Sequence, residues 1–297
     1  MRMLYVGVIL VLMVSLLGVG AFSTNSEDFN AYNHGWNGYS DVSSTVNSGQ
    51  EAEVMLFTGE IEELTPPSSV LVLASPSTLS IEHADLLRHF VESGGRLVVC
   101  EDYGGANSVL AGVGATTRFT GEPIFDCSSY LINVSLPVAE MMSNESTLEL
   151  VLNYPTSLRT KDAVVVAYTS SFAFADLNHD YKTALSEHKG RIPIVSVESV
   201  GNGELICIAD PSVFINAMLH RGNNTQLLEY IAEERGTVAF DQTEMSNPPT
   251  VLMRKVLVRS APVQLLLLLA LLLITLGVFN RKAIYELVER YMEREDK

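Results

Sequence analysis

The sequence predicts an α/β fold, a mostly parallel sheet flanked by helices, and three observations carry that expectation. Short apolar runs of strand length, rich in β-branched residues, recur along the chain. A capped amphipathic helix lies between two of them. Strand, helix and strand together occupy roughly 30 residues, the length of a βαβ unit, in which both strands run the same way.

The strand-like runs are 53–57, 70–74, 96–101, 163–168, 193–197 and 204–209. Between the second and third, Ser80 is placed to cap a helix. Ile81, Ala84, Leu87, Phe90 and Val91 share one face of it, and Gly94-Gly95 stops it. The stretch 197–204 around Gly201-Asn202-Gly203 reads as a hairpin. A last helix is expected over 223–235, ended by Gly236, followed by a closing strand at 237–240. Residues 116–153 show no clear period and read as an insertion or sheet edge.

Two uncharged apolar segments bracket this domain. Residues 3–22 and 261–279 each approach the roughly 20 residues an α-helix needs to cross a bilayer. The expected organisation is an N-terminal transmembrane signal anchor (1–22), an extracytoplasmic α/β domain (23–250) and a juxtamembrane linker (251–260). A second transmembrane helix (261–279) and a cytoplasmic tail (280–297) complete it. Gly18 to Ala21 would also suit a cleaved signal, but the apolar run is longer than an ordinary signal core. Arg2 precedes the first segment and Glu27 and Asp28 follow it, which places both termini in the cytoplasm and the protein in the cell membrane, passing it twice. In the tail, Ile284, Leu287, Val288 and Tyr291 make an amphipathic helix, suited to the membrane surface, to solvent or to a cytoplasmic partner.

Charge narrows the partners. Residues 23–250 hold 30 Asp and Glu against 10 Lys and Arg, a net of −20, while the whole chain stands at −16. Such a surface disfavours nucleic acid and anionic lipid. Cys100 and Cys207 sit in apolar runs and read as small buried hydrophobes. With Cys127 they make three thiols whose spacing shows no disulfide framework. The sequons at Asn133, Asn144 and Asn223 are compatible with export.

Ligands of open parallel sheets bind beyond the carboxyl ends of the strands. Four polar segments are expected on that rim, at 33–40, 75–80, 101–107 and 210–216, with candidate binding residues Asn33, Trp36, Asn37, Asp102, Asn107, Asp210 and Asn216. The same side chains also suit helix caps and tight turns. Neither Cys100 nor Cys207 lies in a nucleophile elbow, no histidine pairs recognisably with either, and no phosphate-cradling glycine motif occurs, so no catalytic residue is assigned. A calcium loop is the remaining candidate. Asp176, Asn178, Asp180, the Lys182 carbonyl and Glu187 occupy positions 1, 3, 5, 7 and 12 of a calcium-binding pattern. Tyr181 replaces the sixth-position glycine, and positive φ there costs about 1–2 kcal/mol. An acidic surface turn would use the same residues.

The stretches NHGWNGYS (33–40), LVVCEDYGGANSVL (97–110) and GNGELICIADPSVFINAMLHRGNN (201–224) resemble a family of uncharacterised prokaryotic membrane proteins carrying a domain of unknown function. That domain is similar to the gliding-motility auxiliary component of ABC transporters and to the N-terminal domain of an intraflagellar-transport subunit. The resemblance covers most of residues 30–240. It implies a flavodoxin-like or class I glutamine-amidotransferase-like fold without the amidotransferase nucleophile. Relatives often place Asp-Glu and a histidine where this chain has Asp241-Gln242-Thr243. They also often carry an Asp/Asn-rich loop near Asp176–Asp180. The resulting expectation is a non-catalytic, membrane-anchored binding or scaffolding subunit of a cell-envelope complex with a protein partner. The alternatives are an accessory subunit of an ABC transporter, hence an ATPase-containing partner, and a hydrolase of envelope or glycan substrates.

Overall fold

The computed structural model describes residues 15, 18, 20 and 22–279, except 47, 77–78, 143–146, 179 and 185–186. The expected N-terminal membrane helix falls almost wholly outside the described residues, as do the tail 280–297 and the Asn144 sequon. Asn25–Ser246 forms one compact unit, and Met1–Thr24 with Asn247–Lys297 a second.

The larger unit is built on a nine-stranded sheet. Its strands are β1 (Glu51–Met55), β2 (Ser69–Ala74), β3 (Arg96–Cys100), β6 (Val138–Met142), β7 (Thr147–Val151), β9 (Val164–Tyr168), β11 (Pro193–Val200), β12 (Gly203–Ile208) and β13 (Thr237–Asp241), in the order β1-β13-β2-β3-β12-β11-β9-β6-β7. From β1 to β12 every neighbouring pair is parallel. β2 is buried at every position, as a strand covered on both faces must be, and so reads as an unbroken apolar run. Helices α1 (Ser40–Val46), α2 (Ile81–Glu92), α3 (Asn107–Gly112) and α4 (Asn224–Ala232) accompany the sheet. Ser80 caps α2, its Oγ accepting from the His83 N–H at 3.1 Å, and Leu87, Phe90 and Val91 are buried.

The sheet differs from the expectation on one side. Beyond β12 four strands continue antiparallel, β11, β9, β6 and β7. The switch is made by the 201–203 turn. Val200 pairs with Gly203, which leaves Gly201, at φ 59°, and Asn202 as a two-residue loop. Residues 116–153, which lack a period, supply β6 and β7 together with the small strands β4 (Arg118–Phe119) and β5 (Ile124–Asp126). β4 pairs with β8 (Leu158–Arg159), and β5 with β10 (Ala173–Ala175). Strands of two and three residues are too short for any alternation to show in sequence.

β7 would leave an unpaired edge, and the start of α4 with the residues just before it covers that edge. The Asn224 side chain accepts from the Val151 N–H at 3.0 Å and donates to the Val151 carbonyl at 2.9 Å, standing in for a neighbouring strand. Asn223 does the same at Glu149, its N–H donating to the Glu149 carbonyl and its Oδ1 accepting from the Glu149 N–H.

In the smaller unit, Pro249–Arg259 is a helix (α5), where the sequence alone suggests a linker over 251–260. Proline at its first position removes an N–H that has no intrahelical partner anyway. Ala261–Phe279 is a second, uncharged helix (α6). Among the described residues no helix is long and apolar enough to cross a membrane. The side chains of α6 are described only over 261–270 and at Leu272.

Candidate functional site

The five parallel strands end together, and their carboxyl edge carries Ser75 after β2, Glu101 and Asp102 after β3, Asp210 after β12 and Asp241 at the end of β13. Asp102 is 9 % exposed and Glu101 and Asp210 are buried deeper still. Burial of three carboxyl groups so close together is costly unless donors or protons answer them.

The donors are unevenly shared. Asp210 accepts from the Asn153 N–H at 2.6 Å and the Ser212 N–H at 2.7 Å, so it both joins two loops and caps the 3₁₀ turn Pro211–Phe214. Burial outweighs those bonds and pushes its carboxyl up to about 8. Glu101 Oε1 accepts from the N–H groups of Asp102 and Tyr103. Asp102 Oδ1 is buried and has no N–H or O–H partner. Burial, and after it the charge and hydrogen bond of Glu101, push Asp102 up to about 7. A value of about 7 leaves Asp102 partly protonated at neutrality and ionised above it, so at mildly alkaline pH its buried Oδ1 is a charged acceptor that the surrounding protein leaves without a donor.

Asp102 lines a pocket of about 210 Å³ together with Tyr103, Gly121, Pro123, Phe125, Tyr154, Pro155, Asp176 and Tyr181. Three of its rings form one cluster. Phe125 meets Tyr154 edge-on at 5.6 Å and stacks on Tyr181 at 5.3 Å. Tyr154 and Tyr181 both have left-handed backbone, φ 54° and 61°, an arrangement that is rare and costly for bulky residues. A hydrogen bond to Tyr154 is the main cause holding the Tyr181 phenol above its ordinary range.

A second depression, about 490 Å³, opens on the same edge near Ser75, His83, Asp241 and Glu244. His83 is buried, with Nε2 2.7 Å from Asp241 Oδ2 and Nδ1 3.5 Å from Thr243 Oγ1. Burial disfavours the charged ring, but the hydrogen bonds and charges of Asp241 and Glu244 win and raise its pKa. Ser75 follows β2 directly and has left-handed backbone, φ 47°. Both imidazole nitrogens are turned to residues 241–244.

Of the seven rim candidates only Asp102 lines the aromatic pocket. Asn33, Asn37 and Asn216 come together in a different role. Asn33 donates to Asn37 Oδ1 at 3.1 Å, and Asn216 donates to the Asn33 and Gly35 carbonyls while accepting from the Asp41 N–H. This network clamps the 33–40 loop to the 210–216 segment. Trp36 is 70 % exposed and takes part through its carbonyl, which accepts from the Ala217 N–H. Asn107 bridges to β4, donating to and accepting from the Phe119 backbone at 2.9 Å. Asp210 belongs to the acidic group, and its charge also raises the buried Tyr39 phenol, after burial itself and Cys100.

The calcium candidates have the expected turn. Tyr181 adopts the positive φ of the sixth position, and Asp176 accepts from the N–H groups of Asp180 and Tyr181. Asn178 accepts from Asp180, Asp180 from Lys182, and Glu187 from Leu177 and Ala184. The carboxylates are thus answered by backbone N–H groups. Among the described residues no three His, Cys, Asp or Glu side chains are grouped to hold a metal. The turn of the calcium pattern is present, and among the described residues its carboxylates do not gather into a metal-holding cluster.

The three cysteines are free. Cys127 is exposed, and Cys100 and Cys207 are buried, where burial raises both thiols far from the thiolate form a nucleophile needs.

These features define an α/β protein with a small acidic and aromatic pocket at the carboxyl edge of its parallel strands. The chain belongs to the family described as a domain of unknown function, DUF4350, whose model matches residues 31–232. Among solved structures it is similar to the N-terminal domain of mmIFT52, at 15% identity over 65% of this chain and 88% of that one, with a TM-score of 0.52. That likeness concerns the fold. A cytoplasmic protein of Salmonella typhimurium LT2 matches at 11% identity over 65% of this chain and 85% of that one, with a TM-score of 0.38. No curated protein matches the sequence.

Proposed function

We propose that the protein is a non-catalytic binding subunit of a cell-envelope complex, held at the membrane by its apolar segments. Its ligand site is the Asp102 pocket. The observation that carries this reading is the buried Asp102 oxygen without a donor, set among rings where parallel α/β sheets hold their ligands. Buried thiols and a His83 already engaged by Asp241 favour binding over hydrolysis. An accessory role beside a transporter ATPase is a narrower form of the same proposal, and the expected amphipathic tail would be its contact.

The chain contains its own reporter of topology. Cys127 is the exposed thiol among the three, so a membrane-impermeant maleimide added to intact cells is expected to label the protein at Cys127 alone. Labelling that requires lysis would place the domain in the cytoplasm and remove the envelope setting. For the binding role, full-length protein purified from membranes in mild detergent is expected to bring partner subunits with it. An isolated protein that hydrolyses envelope glycans, and loses that activity in His83→Ala, would establish the enzyme instead.

A further inference from the structure

We infer that the Asp102 pocket binds an alkylammonium group, its nitrogen set on the Asp102 carboxylate and its methylene chain laid against Phe125, Tyr154 and Tyr181. This deepens the binding role proposed above and rests on it.

Three features select the ligand. First, a buried carboxylate oxygen lacking a donor is costly, and an ammonium brings both the missing N–H and the opposite charge. Second, the lining consists of two carboxylates, four aromatic rings and three small or ring-closed residues, Gly121, Pro123 and Pro155. Among the described residues no Lys, Arg, His, Asn or Gln lines it. Anions therefore meet only repulsion. Sugar hydroxyls, which need donors as well as acceptors, are poorly served by a wall whose only side-chain donors are phenols. Aromatic faces beside an acid attract cations. Third, about 210 Å³ is below the range of drug-sized sites and suits a single short chain with a charged head. The field of the domain works in the same direction, because a net charge of −20 over residues 23–250 concentrates organic cations at its surface.

A calcium ion is the competing cation, and the geometry separates the two. Calcium takes six to eight oxygen ligands. The Asp176 carboxylate in the pocket is already engaged by two backbone N–H groups, whereas an ammonium needs only Asp102 and the rings.

Titration of full-length protein with n-butylammonium at pH 8, followed calorimetrically, tests the inference. Saturable binding is expected, at least tenfold weaker in Asp102→Asn and also weakened in Tyr181→Ala. Asp102→Asn removes a buried charge and keeps the shape, so it is expected to fold, and its melting curve checks that it does. Binding should fade between pH 8 and pH 5.5 as Asp102 takes up its proton. Tetramethylammonium, which has no N–H to donate, should bind more weakly than butylammonium. Cadaverine and Nα-acetyl-lysine methylamide then distinguish a free diamine from a protein lysine as the natural source. Butylammonium that fails to bind, or binds Asp102→Asn equally, overturns the ammonium assignment. If galactose or calcium binds instead in an Asp102-dependent way, the pocket remains a binding site for another ligand. If no probe binds and Asp102→Asn recovers the same partners from membranes, the pocket and the ammonium are both wrong.

Discussion

Asp210→Ala is expected to destabilise the protein by about 3–5 kcal/mol. The carboxyl is fully buried, and its loss leaves the N–H groups of Asn153 and Ser212 without their acceptors. Each buried, unsatisfied donor costs about 1–3 kcal/mol, and the loss of a cap at Ser212 adds to it. Asp210→Asn keeps one acceptor and should cost less than half as much. Urea unfolding of both variants measures the difference. A loss below about 1 kcal/mol for alanine would mean that the two loops relax and find other acceptors, and that Asp210 does not hold the rim together.

Stability should fall as pH rises from about 5 to 9, and three groups set the direction. Asp102 and Asp210 are pushed up from 3.8 to about 7 and about 8, and His83 is raised above 6.5. Each binds its proton more tightly in the folded state. Their contribution is therefore complete below the unfolded values and is lost as pH climbs through the folded ones. Every tenfold gain in proton affinity on folding corresponds to about 1.4 kcal/mol, so the buried Asp210 alone makes the alkaline loss a matter of a few kcal/mol. Glu198 acts in the opposite sense. Burial works against its charge, but the Thr116 and Thr117 N–H groups and the Thr117 hydroxyl lower its pKa, so its contribution is lost on acidification below about 4.5. General repulsion among the surface acids also grows with pH. Asp210→Asn separates the two causes, since it should flatten the alkaline limb and leave the surface repulsion untouched. Melting temperatures that rise between pH 5 and pH 8 would contradict the assignment.

The parallel half of the fold was legible because its signals are local. β2 reads as a strand from an apolar run that the sheet buries on both faces. α2 reads as a helix because Ser80 caps it and Gly94 ends it at φ 102°. The 201–203 turn was legible from its glycines, since a two-residue loop needs positive φ. α5 was missed because the positively charged stretch ahead of an apolar segment looks like a linker, although Pro248-Pro249 is an acceptable helix start. β4, β5, β8 and β10 were beyond sequence reading, since pairs of two or three residues have no period of their own.

The candidate site divides in the same way. That Asp102 and Asp210 each follow a strand, and so belong to one rim, follows from the apolar runs ahead of them, whereas the pairing of β3 with β12 that sets them side by side does not. That Asn33, Asn37, Asn107 and Asn216 serve as clamps, while Asp102 faces the aromatic pocket, does not, because an amide bonding backbone and an amide awaiting a ligand are the same letter. Phe125, Tyr154 and Tyr181 are separated by dozens of residues, and their rings meet only when β5 and the loops that carry Tyr154 and Tyr181 come together beside Asp102. Local patterning thus determined the acidic α/β scaffold and the edge on which its polar loops gather. The tertiary structure alone decided which of those polar groups went without a partner, because donor and acceptor balance is settled by neighbours distant in the chain.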